Sequence, residues 1–313
     1  MRDPHYDRMR RRTEPATLPR AAVDASAVRA PDGIDEVDPS LSIVSVSDVH
    51  GYLSDARSAL TAVGETDRFE PVVTEGEDAR LHWAGNDYLL LFNGDLVDRG
   101  DRNEETVELA VRLLEEAPPG RVRYHLGNHE MAMLLPEVLF WPGTYSARLE
   151  RDARERFAAW IESGLVTAAF EGHGYTYSHA GSRTGVDAAK ANAELRAAAE
   201  ALRSTRSDDE REAVESEVPD RFSTVFGLGG SSGRGPEAGL LWMDFSHMPA
   251  DAPAQIVGHT RQEVPNRRGE TVCGNVIRWH QGSAGGEGVL VETPDELVSV
   301  TRTRGGGAVV DDV

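Results

Sequence analysis

Tyr88-Leu89-Leu90-Leu91-Phe92-Asn93-Gly94-Asp95-Leu96-Val97-Asp98-Arg99-Gly100 is the stretch on which the fold turns. Five apolar residues running into a glycine-bounded polar cluster read as a buried strand. The octet Asn93 to Gly100 then falls just past the strand's carboxyl end, where open α/β sheets place their sites. Two carboxylates and an arginine packed this closely are costly to desolvate unless they bind something. The alternative is a turn in which Asp98 and Arg99 form a solvated pair. A helix-like run from Glu104 to Glu116 follows, with acidic residues in its first turn, as the helix dipole favours.

The same pattern recurs on either side. Leu41-Ser42-Ile43-Val44-Ser45-Val46 alternates as a strand does and runs into Ser47-Asp48-Val49-His50-Gly51, with a helix expected from Asp55 to Val63. Val122-Arg123-Tyr124-His125-Leu126 leads into Gly127-Asn128-His129-Glu130. Three strands ending in metal-ligand residue types, in βαβαβ order, predict parallel strands that aim three loops at one place. Two later strands end alike, Tyr175-Thr176-Tyr177-Ser178 in His179-Ala180-Gly181 and Gln255-Ile256-Val257 in Gly258-His259-Thr260.

Elsewhere the pattern gives a helix over 146–164 and paired strands over 165–170 and 175–178. It gives one or two exposed helices over 187–217, a glycine-rich loop over 227–239, and an irregular acidic stretch over 64–87 holding an edge hairpin at Leu81-His82-Trp83. Residues 276–279, 288–291 and 297–301 read as closing strands of a second sheet. Residues 1–38 read as a disordered leader, 39–303 as a single domain and 304–313 as a flexible tail.

Composition narrows the function. The chain has 313 residues, with 53 acidic against 33 basic side chains and a formal charge of -20. That charge disfavours a nucleic-acid backbone as partner. Lys190 is the sole lysine. An acidic, lysine-poor surface suits a protein kept soluble in concentrated salt, and points to a halophilic cytoplasm. A high-GC genome would account for the lysine count but not for the acidity. Cys273 stands alone, so no intrachain disulfide forms. No apolar run approaches the roughly 20 residues of a membrane span, and the N-terminus lacks the apolar core of a signal peptide.

Collected, the strand-end residues are Asp48, His50, Asp95, Asn128, His179 and His259. Any one of these histidines alone is more often an ordinary core or surface residue; five loops ending alike argue against that. Carboxylate, imidazole and amide oxygen together form a hard-to-borderline donor set suited to Mn, Fe or Zn. Six such ligands, with an aspartate able to bridge, are what two adjacent metals need. Such a pair can activate a water and hold both ends of an in-line displacement at phosphorus.

Asp48-Val49-His50-Gly51, Gly94 to Gly100, Gly127-Asn128-His129-Glu130, His179-Ala180-Gly181 and Gly258-His259-Thr260 resemble, in order, the motifs of the calcineurin-like metallophosphoesterases. The resemblance covers about residues 41–292. It is strongest to the branch with the Ser/Thr phosphoprotein phosphatases, the Shewanella-like phosphatases and the symmetrical diadenosine tetraphosphatases. It implies an α/β four-layer sandwich, two mixed sheets flanked by helices. It also implies two divalent metals, Mn foremost with Fe or Zn as alternatives. By the same resemblance Asp48, His50 and bridging Asp95 would hold one metal, and Asp95, Asn128, His179 and His259 the other. Arg99, with Asn128 and His129, would bind the substrate phosphate. His129 would protonate the leaving oxygen, with Asp98 holding its ring, while a bridging hydroxide attacks phosphorus. The implied substrate is a phosphorylated protein, phosphoserine or phosphothreonine first, or a small phosphoester. A dinucleoside polyphosphate hydrolase and a catalytically silent phosphate-binding module are the alternatives.

The chain also departs from the family. Ser47 replaces a glycine, Thr260-Arg261 replaces the second histidine of other branches, and His280-Gln281-Gly282 replaces a closing Asp-x-Gly. Leu240-Leu241-Trp242 is followed by Met243-Asp244 with no arginine close behind. A second phosphate-binding arginine is thus unassigned, with Arg234 and Arg261 as weak candidates.

Overall fold

Tyr88–Phe92 is buried at all five positions, as an unbroken apolar run inside a covered sheet should be. The computed structural model that shows this describes residues 15–20, 31–85, 87–139 and 141–313. The arginine-rich stretch 8–12 and the rest of the expected leader at 1–14 and 21–30 lie outside the described residues.

In chain order, β1 (Ser42–Val46) and α1 (Leu53–Ala62) precede a hairpin of β2 (Val73–Glu75) and β3 (Leu81–Trp83). Next come β4 (Tyr88–Phe92), α2 (Asn103–Glu116), β5 (Val122–His125), α3 (Asn128–Leu134) and α4 (Arg151–Ser163). Three short strands follow, β6 (Val166–Thr167), β7 (Ala169–Glu171) and β8 (Thr176–Ser178), then α5 (Ala188–Arg203), α6 (Asp208–Arg221) and α7 (Ser223–Phe226). The last part holds β9 (Gln255–Val257), β10 (Asn266–Arg268), β11 (Thr271–Cys273) and α8 (Ile277–His280), and finally β12 (Gly288–Glu292), β13 (Leu297–Arg302) and β14 (Ala308–Asp312).

Seven strands form one sheet in the order β14-β13-β12-β1-β4-β5-β6, and five form a second in the order β10-β11-β9-β8-β7. β1, β4, β5 and β6 run parallel, so their carboxyl ends open on one side. β8, β9 and β11 are likewise parallel. Period-two alternation sorts the side chains of the first sheet. Ile43, Leu89 and Leu91 meet Phe170, Tyr177, Ile256 and Val272 of the second sheet. Val44, Val46, Leu90 and Phe92 pack on the other side against helix residues such as Leu60, Val107 and Phe157. The outer face of the second sheet is covered by residues 243–252, where Met243, Phe245 and Met248 pack on Val257 and Cys273. The architecture is the expected mixed α/β sandwich in a single domain.

Several local expectations differ from what the chain does. β12 and β13 belong to the first sheet, because β12 pairs antiparallel with β1 (Val44↔Val291), and all five β12 residues are buried there. Residues 276–279 do not form a strand. The chain turns at Gly274, and the Val276 carbonyl takes the Trp279 and His280 N–H groups, which starts α8. The expected flexible tail contains β14, laid antiparallel on β13 with Val300 opposite Val310. α5 is not an exposed helix: Ala188, Ala191, Leu195, Ala198, Ala199 and Leu202 form a buried stripe at helical spacing. Parts of the leader are packed as well. Leu18 and Ile34 are buried, and Gly33 bridges to Glu171 of β7.

Candidate metal centre

The five strand-end loops converge beyond the parallel strands, and Asp95 stands at their centre. Its Oδ2 lies 3.5 Å from His50 Nε2 and 3.5 Å from His179 Nε2, one on each side. Its Oδ1 accepts the His129 backbone N–H at 2.9 Å. His50 Nε2 is 3.8 Å from Asp48 Oδ1. Opposite, Asn128 Oδ1 is 3.3 Å from His179 Nε2 and 3.0 Å from His259 Nδ1. All six residues predicted from the strand ends are therefore brought together, and all are buried.

The rings are aimed by their far nitrogens. His50 Nδ1 is 2.9 Å from the Val97 carbonyl and His179 Nδ1 is 2.9 Å from the Asn93 carbonyl, so each Nδ1 donates and each Nε2 is turned toward Asp95. Asp48 is set by the His259 N–H, which donates to Oδ2 at 2.9 Å. Close backbone approach requires glycine at 127, where a Cβ would run into the Asp95 carboxylate. Six of the seven described non-glycine residues with left-handed backbone are Asp48, His50, Asp95, Asp98, Arg99 and His259, at φ between 50° and 71°. Such conformations are disfavoured for side-chain-bearing residues and persist where a site over-determines them.

The donors fit a pair of cations. Asp48 Oδ1, His50 Nε2 and His259 Nε2 are buried and without a hydrogen-bond partner among the described residues. Two overlapping donor groups, His50–Asp95–His129 and Asp95–His179–His259, each gather within 4.8 Å and share Asp95. Burial pushes the Asp48 carboxyl up to about 6. Burial also opposes a proton on His179, yet Asp95 and Asp48 raise it to about 9. A site that draws a proton onto a buried imidazole is short of positive charge, which divalent ions would supply.

Beside this cluster stands a hydrogen-bonded imidazole–carboxylate pair. His129 Nδ1 is 2.7 Å from Asp98 Oδ2, leaving Nε2 toward the open side, where Arg99 Nη2 approaches at 3.1 Å. The buried hydroxyl of Ser146 and its backbone N–H both donate to Asp98. His50 and Trp141 flank the His129 ring at 4.7 Å and 4.8 Å between centroids.

The two arginines considered from sequence are otherwise occupied. Arg234 donates to Asp244 at 2.6 Å, and Arg261 is exposed and lies over the Trp279 ring at 4.9 Å. Arg278 is a residue that sequence reasoning missed. It sits on α8 beside the His259 loop, to which the Gln262 N–H is tied through the Asn275 carbonyl at 2.8 Å. Among the described residues it has no hydrogen-bond or ion-pair partner. Burial and then the Arg99 charge hold its guanidinium below the ordinary value, against the pull of Asp48 and Asp95. Its only sequence signal was a basic residue following the strand beside β9, which no motif marks. Glu130 was also missed as an organiser. It accepts the N–H groups of Asp95, Leu96 and Gly127 and the Tyr124 hydroxyl, joining the second and third loops.

Several solved structures are similar to this chain. A mutant form of a cold-active protein tyrosine phosphatase superposes with a TM-score of 0.60 at 17% identity, over 94% of this chain and 86% of that one. The cold-active protein-tyrosine phosphatase of a psychrophilic Shewanella species gives 0.58 at 16%, over 95% and 90%. A protein serine/threonine phosphatase from Saccharomyces cerevisiae gives 0.48 at 16%, over 99% and 87%. At these identities the first two likenesses speak for the fold alone. Residues 41–260 match the calcineurin-like phosphoesterase family, and this chain belongs to it.

Proposed function

We propose that this chain is a dinuclear-metal phosphomonoesterase acting on phosphorylated protein, with phosphoserine and phosphothreonine as the ester class. The observation that carries the reading is Asp95 Oδ2, set 3.5 Å from an imidazole on either side, with the Asp98–His129 pair and Arg99 arranged around it. Asp48, His50 and Asp95 would hold one ion, and Asp95, Asn128, His179 and His259 the other, Mn being preferred to Fe or Zn. When bound, such a pair supplies positive charge to the phosphoryl oxygens and an activated water for in-line attack.

The protein's own groups do the rest. Arg99 takes phosphoryl oxygens through its guanidinium fork, and Arg278 joins it as the second cation in place of Arg234 or Arg261. His129 Nε2 gives its proton to the leaving oxygen as the P–O bond breaks, and Asp98 holds Nδ1 so that Nε2 stays aimed. The acidic surface fits a peptide or small phosphoester better than nucleic acid. Among the described residues, no helix is long and apolar enough to cross a membrane. A salt-rich cytoplasm is the proposed setting.

The test uses protein purified without chelators and supplied with Mn. Phosphoserine and phosphothreonine peptides should be hydrolysed in preference to diadenosine tetraphosphate. His129→Ala should lower kcat about 10²-fold or more with metal content intact, Asp95→Asn should lower both, and Arg278→Ala should lower kcat/KM about tenfold or more. If the Mn-loaded protein cleaves no aryl phosphate in low or molar salt, the reading fails.

A further inference from the structure

The loop between α3 and α4 carries a serine that no motif marks. Ser146 is fully buried, and both of its donors go to one carboxylate. Its N–H donates to Asp98 Oδ1 at 2.9 Å, and its Oγ–H donates to Asp98 Oδ2 at 2.7 Å. Oδ2 is also the atom that holds His129 Nδ1 at 2.7 Å. The last torsion of an aspartate is broad, so a carboxylate held at one atom can swing. The Ser146 N–H holds Oδ1, and its hydroxyl holds Oδ2 independently of the His129 ring, so the carboxylate edge that receives Nδ1 is set without relying on that ring.

Ser146 is itself held from two sides. On the inner side, Arg154 is buried and donates to five backbone carbonyls, those of Leu149, Ala132, Met133, Ser146 and Ala147. That ties the loop to α3, whose first turn carries Asn128 and His129. On the outer side lies the segment 15–20. The Ala16 N–H donates to the Arg148 carbonyl at 3.0 Å, and the Tyr145 hydroxyl donates to the Thr17 carbonyl. Arg156 donates to the Leu18 carbonyl at 3.4 Å, and Leu18 is 3% exposed. A segment far away in sequence thus closes over the loop that carries Ser146.

We propose that Ser146 is a positioning residue for the leaving-group acid, and that residues 15–20 form a strap that keeps Ser146 in place. The proposal rests on the phosphomonoesterase reading and deepens it. A positioning role of this kind leaves a signature that general loosening does not. An alkoxide is too basic to depart without a proton, whereas p-nitrophenolate departs without one, so the defect should depend on the leaving group.

Steady-state hydrolysis of a phosphoserine peptide and of p-nitrophenyl phosphate is the experiment, with bound metal and melting temperature followed in parallel. Ser146→Ala is expected to lower kcat on the peptide about tenfold, and on p-nitrophenyl phosphate less than about threefold, with KM and metal content unchanged. Ser146→Thr, which keeps the hydroxyl, should recover most of the peptide activity. Full-length Leu18→Asp, which puts a charge where the strap is buried, should show the same selective loss in weaker form. An equal loss on both substrates, or no loss on either, overturns the role of Ser146. A Leu18→Asp protein with a uniform loss or none overturns the strap. If the wild-type protein hydrolyses neither substrate, the phosphomonoesterase reading fails before any variant is compared.

Discussion

Glu130 shows how a residue can organise a site without facing its centre. Its Oε2 accepts from Asp95 N–H at 2.8 Å and Gly127 N–H at 3.0 Å, and its Oε1 accepts from Leu96 N–H at 2.8 Å and Tyr124 Oη at 2.9 Å. Burial pushes its carboxyl up to about 7, so its hold on the two loops relies on donors surrounding both oxygens. Glu130→Gln would turn an NH₂ group toward N–H donors on one side. A buried donor left without an acceptor costs about 1–3 kcal/mol. Glu130→Gln is therefore expected to lower stability by about 2–3 kcal/mol and to reduce bound metal, although Glu130 is not among the six proposed ligands. Denaturant midpoint and metal content check this; an unchanged metal content would separate Glu130 from the centre. At this scale the cluster of six proposed ligands was legible in the sequence because each of them follows a strand end, and strand ends are visible as pattern. Glu130, Ser146 and Arg278 were not, because their roles depend on which backbone N–H or charge they meet in three dimensions.

Among the elements, the parallel strands could be read before the fold was known, since apolar runs and polar loops alternate at βαβ spacing from residue 41 to 130. The assignment of late strands to sheets could not, since β9 and β12 look alike as short apolar runs and differ only in their partners. β12 lies against β1, and its last residue, Glu292, reaches the second sheet. There Glu292 Oε2 accepts from the Tyr177 hydroxyl of β8 at 2.7 Å and Oε1 from the Gly174 N–H at 2.6 Å. Burial raises the Glu292 carboxyl above its ordinary value, so these donors offset the cost of keeping it between the sheets. Tyr177→Phe removes one donor from the buried Glu292 carboxylate. The expected loss is about 2 kcal/mol of stability, read as a lower urea midpoint with an unchanged slope. Turnover should be unaffected, because the parallel-strand loops take no contact from Tyr177 Oη among the described residues. A midpoint equal to wild type would show that the two sheets need no such tie.

For the whole molecule, the excess of 53 acidic over 33 basic residues means that folding gathers like charges into a smaller volume. Arginines answer part of that excess in exposed pairs such as Arg80–Glu108 and Arg102–Glu105. Pairs open to water contribute only about 0–1 kcal/mol each, and salt weakens them. The unpaired carboxylates repel over longer distances, and that repulsion falls as the Debye length shrinks from about 10 Å at 0.1 M salt to about 3 Å at 1 M. The two effects oppose each other, and their sum has a definite sign if net charge governs. With a formal charge of -20, loss of repulsion should exceed loss of pairing. The melting temperature of the metal-loaded protein should therefore rise as KCl is taken from about 0.1 M to about 2 M. The proposed metal centre is buried and should respond little, so metal content measured across the series should stay level while stability climbs. A melting temperature that stays flat or falls would show that the arginine pairs govern instead, and that the acidic surface does not stabilise this chain in salt.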